Sequence, residues 1–184
     1  GGGSLAKVVE IAGLFIKDGP VVQVRDANGN VQILHDTDRG LQWDKPLIIL
    51  INELSASASE ILAAAMQDYG RAIILGSKQS YGKGTVQELI DLNREVRNSS
   101  LGDLGAIKLT RQKFYRINGG STQLKGVNSD IVIPDRYQYI KVGERELENP
   151  MPWDEIGQAS YNHWTDNKKF PQAIENSKKR IQSN

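Results

Sequence analysis

The chain has 184 residues, with 23 Lys and Arg against 22 Asp and Glu, and no cysteine. One domain with a real core fits that length, and the even charge balance argues against a nucleic-acid or anionic-membrane partner. Disulfides, thiolate catalysis and Cys-ligated metal sites are excluded, and the two histidines, His35 and His163, leave little for a zinc site or a histidine-based triad. No apolar run approaches the ~20 residues of a membrane span, and no signal peptide is evident. The opening Gly-Gly-Gly-Ser reads either as a linker scar or as a native glycine loop entering a helix. With no initiator Met, the chain is expected to be a fragment.

Ser4 is placed to cap a first helix whose apolar positions, Leu5, Val8, Val9, Ala12, Phe15 and Ile16, share a face. Gly19-Pro20 is expected to end it. Val21–Arg25 and Val31–Leu34 read as strands of a hairpin turning at Asn28-Gly29. Asp36 to Lys45 is loop-like. Leu47–Ile51 is a continuous apolar run, which predicts a central strand covered on both faces. A helix with Ile61, Leu62, Ala65, Met66 and Tyr69 inward follows, stopping at Gly70. Ala72–Leu75 and Thr85–Leu89 read as strands, and Asn93–Gly105 as irregular. Ala106–Thr110 and Gln112–Ile117 read extended, with a turn at residues 118–120. Beyond Tyr137 the pattern weakens, and the last dozen residues, with Lys178-Lys179-Arg180, suggest a solvated helix or a frayed end. Strand–helix–strand alternation in the middle predicts an α/β layer architecture.

Between the apolar run and the second helix lies Asn-Glu-Leu-Ser-Ala-Ser-Ala-Ser-Glu, residues 52–60. Ser57 and Glu60 have the spacing of a capping box. The same placement would put the Ser57 hydroxyl on a sharp turn at the positive end of a helix, where developing negative charge is favoured. Ala56 and Ala58 would let a substrate backbone come close. The two readings are compatible, because Glu60 can fix the turn that presents Ser57.

A serine nucleophile needs a base. Lys83, flanked by Gly82 and Gly84, is the alternative to the poorly placed histidines. To act near neutrality its pKa must fall from about 10.4 towards 7 or 8, which burial achieves. The bland reading of a lysine in a glycine turn is an exposed charge. The run Gly-Ser-Lys-Gln-Ser-Tyr-Gly-Lys-Gly-Thr, residues 76–85, is a poor phosphate loop. Five residues separate its first glycine from Gly-Lys, and glycine follows the lysine.

Taken together, Ser55 to Gln87 (SASASEILAAAMQDYGRAIILGSKQSYGKGTVQ) resembles the catalytic core of the C-terminal processing peptidases, the tail-specific branch of peptidase family S41. The resemblance extends through GGGSLAKVVEIAGLFI, GPVVQVRD, QKFYRINGGSTQLKGVNSDIVIP and PWDEI, to about Trp164. It implies an α/β fold, the ClpP/crotonase-like layered core with a mixed β-sheet and flanking helices. The expected division is a catalytic core over residues 1–164 and a polar C-terminal tail over 165–184. By the resemblance, Ser57 is the nucleophile, Lys83 the general base, and Gln87 orients the lysine. In an ideal strand residues 83 and 87 would lie roughly 13 Å apart, so that contact needs a bend, expected at Gly84. Gly2 and Gly3 match the oxyanion-hole glycines. Glu60, Asp68 and Ser80 match supporting positions, Glu60 and Asp68 in a structural capacity. Ser80 replaces the threonine common there, the loop carrying it is one residue longer than usual, and Ser129 stands where many members have proline.

The implied reaction is peptide-bond hydrolysis with no metal or cofactor. The implied partners are protein substrates with apolar C-termini, an adaptor lipoprotein, and a PDZ domain which, like one core strand, would lie upstream of Gly1. The implied location is the periplasm or cell envelope of a bacterium. Two other readings stay open: a catalytically silent binding or scaffolding module that keeps the fold, and a crotonase-like acyl-transfer enzyme. The latter predicts coenzyme A binding, for which the sequence offers no adenine or phosphate site.

Overall fold

The computed structural model describes residues 2–38, 40–96 and 102–183. The elements in chain order are α1 (Leu5–Gly13), β1 (Pro20–Asp26), β2 (Val31–His35), β3 (Ile48–Ile51), α2 (Ala58–Asp68), β4 (Ile73–Gly76), β5 (Thr85–Asp91), α3 (Leu92–Glu95), β6 (Ala106–Tyr115), β7 (Ile131–Val132) and α4 (Phe170–Gln182). The strands form an antiparallel sheet in the order β2-β1-β6-β5 and a parallel sheet in the order β3-β4-β7. The expected mixture of pairing modes is therefore present, but divided between two sheets.

The core lies where α1 and α2 pack together and against both sheets. Val8, Val9 and Ala12 meet Ala63, Ala64, Ala65 and Met66, with Val22, Val24, Ile74 and Phe114 behind them. The alanines of α2 let the two helices approach closely, as small residues at a helix contact do. Ser4 Oγ accepts the Lys7 N–H at 3.4 Å and starts α1. The helix ends at Gly13, before the expected stop at Gly19-Pro20. The Leu14 carbonyl is taken by the N–H groups of Gln42 and Trp43, both at 3.0 Å, rather than by another helical turn.

Leu47–Ile51 departs from its expectation of burial on both faces. Ile49 and Ile51 pack on the core, but Ile48 is 58% and Leu50 72% exposed. Among the described residues β3 pairs only with β4, so it is an edge strand with one apolar face open. The two expected segments at 106–117 are one strand, β6. Its partner register steps from Val86–Gln112 to Gln87–Thr110, which makes Arg111 a bulge at the place where the pattern broke. Part of the expected irregular stretch 93–105 lies outside the described residues; Leu92–Glu95 forms a single helical turn. The C-terminal residues form α4, which lays Phe170, Ile174 and Ile181, all half-buried, along one face. No helix of the described residues is long and apolar enough to cross a membrane.

Candidate active site

The turn between β3 and α2 is built from its own polar side chains. Ser55 Oγ accepts the Asn52 N–H at 3.1 Å, and Asn52 Oδ1 accepts the Leu54 N–H at 3.0 Å. The chain then reverses at Ser57, whose φ of 55° and ψ of −113° lie in a region natural to glycine. Holding a serine there costs on the order of 1–3 kcal/mol, a strain that stands when surrounding structure enforces it. The enforcing group is Glu60. Its Oε2 accepts the Ser57 N–H at 2.8 Å, the reach-back arm of a capping box.

Glu60 is fully buried and accepts three further donors: Ser80 Oγ at 2.5 Å, Gly82 N–H at 2.6 Å and Lys83 N–H at 2.9 Å. One carboxylate thus joins the backbone under Ser57 to the backbone under Lys83, 26 positions later in the sequence. Burial pushes its carboxyl up to about 7, against the pull of all four donors. Ser80 Oγ in turn accepts the Val127 N–H at 2.7 Å. Ser129, where proline is common, donates its hydroxyl to the Ser77 carbonyl at 2.6 Å.

Ser57, Lys83 and Gln87 line one cavity of about 480 Å³, together with Gly2 and Gly3. Its apolar wall is made by Leu5, Ile61, Val86 and Phe114, and Lys108 stands at its edge. Lys83 Nζ donates to Gln87 Oε1 at 3.1 Å. The bend this contact required has two sources: Lys83 precedes the start of β5, and the register shift falls between Val86 and Gln87. Among the described residues no hydrogen bond joins Ser57 Oγ to Lys83 Nζ, so the amine rests on the glutamine. Gly2 lies against the serine, where a Cβ would sit 3.2 Å from Ser57 Cβ and 3.3 Å from the Ala56 carbonyl oxygen.

Asp68 is placed elsewhere. It occupies the far end of α2, where Arg116 donates to it at 2.5 and 3.1 Å and Asn118 at 2.9 Å. It ties α2 to the end of β6 and does not line the cavity. His35 lies on β2, and His163 stacks edge-on with Tyr161 at 5.3 Å; neither reaches the Ser57 cavity. Sequence reasoning missed the residues that hold Lys83 from behind. Leu124 N–H donates to the Gly82 carbonyl at 2.8 Å, Thr122 Oγ1 to the Lys83 carbonyl at 3.2 Å, and Gly84 N–H to Gln123 Oε1 at 2.8 Å. They lie some forty residues downstream, and no local spacing signals them.

A strained serine at a helix entry, an amine-bearing glycine turn and one shared carboxylate are thus brought together at one cavity in an α/β frame. Comparison with known proteins gives the family. Residues 1–133 match the model of peptidase family S41, and residues 137–184 match that of the C-terminal domain of tail specific protease. The chain belongs to peptidase family S41. It is 50% identical over 161 residues to the tail-specific protease of Haemophilus influenzae, covering 88% of this chain and 23% of that protein. It is 39% identical over 153 residues to the carboxy-terminal-processing protease of Bartonella bacilliformis, covering 79% and 33%. The solved photosystem II D1 C-terminal processing protease superposes with a TM-score of 0.62 at 28% identity, over 72% of this chain and 32% of that one. The chain thus spans a quarter to a third of the length of these relatives.

Proposed function

We propose that this chain carries the catalytic residues of a serine endopeptidase that hydrolyses peptide bonds in proteins recognised by their C-terminal tails. Ser57 Oγ attacks the scissile carbonyl carbon while neutral Lys83 Nζ takes its proton. Negative charge develops on the former carbonyl oxygen at the N-terminal end of α2, beside the backbone of Gly2 and Gly3. Lys83 then returns the proton to the departing amine, and water hydrolyses the acyl-enzyme by the same steps. Gln87 holds the amine between turnovers and accepts one of its hydrogens. Glu60 and Ser80 fix the two backbones that carry the reacting groups, and Asp68 supports the frame. The apolar cavity wall suits an aliphatic side chain of the substrate beside the scissile bond.

The observation that carries this reading is the Glu60 carboxylate, which bonds to the backbone N–H of Ser57 and of Lys83 together. A mere helix cap has no reason to hold a distant lysine turn. The same reading takes in the implications of the family resemblance for the complete protein: an upstream PDZ domain, substrates with apolar C-termini, an adaptor lipoprotein and a bacterial cell-envelope location. Its test uses the complete protein and an unfolded substrate ending in apolar residues. Ser57→Ala and Lys83→Ala are each expected to abolish cleavage while leaving the unfolding midpoint unchanged. A variant that still cleaved would remove its residue from the mechanism. An activity limb near pH 6.5 would point to histidine rather than lysine as the base.

A further inference from the structure

Lys83 is carried on a three-residue turn, Gly82–Lys83–Gly84, held from two sides. Glu60 takes the N–H groups of Gly82 and Lys83. On the opposite side Leu124 and Thr122 take the carbonyls of Gly82 and Lys83, the Phe114 N–H of β6 takes the Gly84 carbonyl at 2.9 Å, and the bond to the Gly84 N–H is made by the side chain of Gln123. That side chain has no exposed surface. Gly84 lies so close that a Cβ there would come 2.7 Å from Gln123 N and 2.9 Å from Gln123 Cβ.

The Gln123 amide has a second end. Its Nε2 donates to the Met151 carbonyl at 3.1 Å and faces Glu144 Oε1 at 3.4 Å. One planar group therefore bridges the lysine turn and the segment from Gly143 to Asp154. The segment is anchored on both flanks of this bridge. Glu144 N–H donates to the Tyr81 carbonyl at 2.9 Å, one residue before Gly82. Trp153 Nε1 donates to the Ser121 carbonyl at 2.8 Å, and Lys125 Nζ sits 3.2 Å above the Trp153 ring centre. The segment falls within the match to the tail-specific protease C-terminal domain, whereas the lysine turn falls within the peptidase match.

We infer that Gln123 is a positioning residue that transmits the docking of the Gly143–Asp154 segment to Lys83, an inference that rests on the Ser57–Lys83 reading above. The terminal torsion of a glutamine is soft, so its amide plane is set by its partners. With Met151 and Glu144 holding Nε2, Oε1 is aimed at Gly84. When the segment shifts, the amide turns, the buried Gly84 N–H loses its acceptor, and the turn relaxes to find another. A displacement of about 1 Å in a reacting group can cost ~100-fold in rate. Docking of the C-terminal segment thus sets the rate of chemistry without touching substrate.

The test is steady-state kinetics of the complete protein on an unfolded substrate with an apolar C-terminus. Three variants are compared: Gln123→Met, Trp153→Leu and the double variant. Gln123→Met is expected to lower kcat ~10- to 100-fold with KM within about threefold, because the amine is no longer held in place against Ser57. Trp153→Leu, which loosens the segment, should lower kcat in the same direction by ~3- to 10-fold. Added to Gln123→Met it should lower kcat by less than about twofold more, because the relay is already cut. Effects that multiply would overturn the inference, as would a Gln123→Met variant whose KM rises while kcat stays put. If Gln123→Met does not fold, Trp153→Leu decides alone: a lowered kcat at unchanged KM supports the relay, and an unchanged kcat overturns it. Ser57→Ala and Lys83→Ala run alongside separate the two readings. Should either remain active, the dyad fails whatever Gln123 does; should both be dead with Gln123 variants unaffected, only the relay fails.

Discussion

At the scale of single residues, Glu60 has two opposing demands on it. Four donors face its oxygens and favour the anion, but burial outweighs them and lifts the carboxyl from 4.5 to about 7. The folded value lies above the unfolded one, so the folded state binds the extra proton. The stability this contributes is complete below about 4.5 and is lost as pH rises through about 7, on the order of 3 kcal/mol across the window. Urea unfolding of the wild type from pH 4.5 to 8 should contain that falling slope, and Glu60→Gln should remove it. The variant should nonetheless be less stable than the wild type, by about 1–3 kcal/mol at pH 8, with the gap widening by the size of that slope towards pH 4.5. Either orientation of its amide turns an NH2 towards a backbone N–H, of Gly82 on one side or of Ser57 and Lys83 on the other. A protonated carboxyl avoids that clash because its single hydrogen can face Ser80 Oγ. Gly2 makes a second residue-scale case. A methyl group there must press on Ser57 Cβ and the Ala56 carbonyl, so Gly2→Ala is expected to lower kcat roughly tenfold with the melting temperature within a degree or two. Equal losses of activity and stability would mean that Gly2 matters only to folding.

At the scale of elements, what the sequence made legible was local. Ser57 and Glu60 are three residues apart, and a capping-box spacing was enough to place both at the entry of α2. The hairpin β1–β2 was readable from Asn28-Gly29, and its Arg25–Val31 pairing closes the expected turn. The failures are failures of context. Leu47–Ile51 has the composition of a two-sided strand, and composition carries no information on whether a neighbour covers the second face. The break at Arg111 registered as two strands because a bulge interrupts alternation without ending pairing. Arg71 was invisible for the same reason. After Gly70 it reads as an ordinary surface charge, yet it is 1% exposed, donates to the Phe15 carbonyl at 2.7 Å and the Trp43 carbonyl at 2.6 Å, and lies 4.6 Å from the Trp164 ring. It fastens the end of α1, the loop before β3 and the C-terminal segment at one point. Arg71→Lys keeps the charge but loses the planar fork, and should destabilise by about 2–4 kcal/mol in urea unfolding. A loss below about 1 kcal/mol would mean that water satisfies those carbonyls equally well.

At the scale of the whole molecule, the cavity sits where the helix entry of the parallel sheet faces the β5–β6 end of the antiparallel sheet. Its two reacting groups therefore depend on how those layers are held together. The C-terminal segment does part of that holding. Asp154 receives Arg25 from β1, and Lys113 and Tyr115 from β6, while its carbonyl accepts the Ser121 N–H at 3.2 Å. Burial alone would raise its carboxyl, but the hydrogen bonds from Lys113, Arg25 and Tyr115 together outweigh that and hold it below the usual 3.8. The folded value is the lower one, so the unfolded chain takes up the proton first. The contribution of Asp154 is whole above about 3.8 and is lost as pH falls through its depressed folded value. Asp154→Asn leaves two cations against a neutral amide. Since 34% of the Asp154 side chain is open to water, the expected cost at pH 7 is discounted to about 1–2 kcal/mol. The gap between wild type and variant should close as both are taken well below pH 3.8, because protonation then neutralises the native side chain as well. Urea midpoints measured at neutral pH and in acid give both numbers. A gap that persisted undiminished in acid would show that Asp154 holds the sheet by shape and hydrogen bonding rather than by its charge.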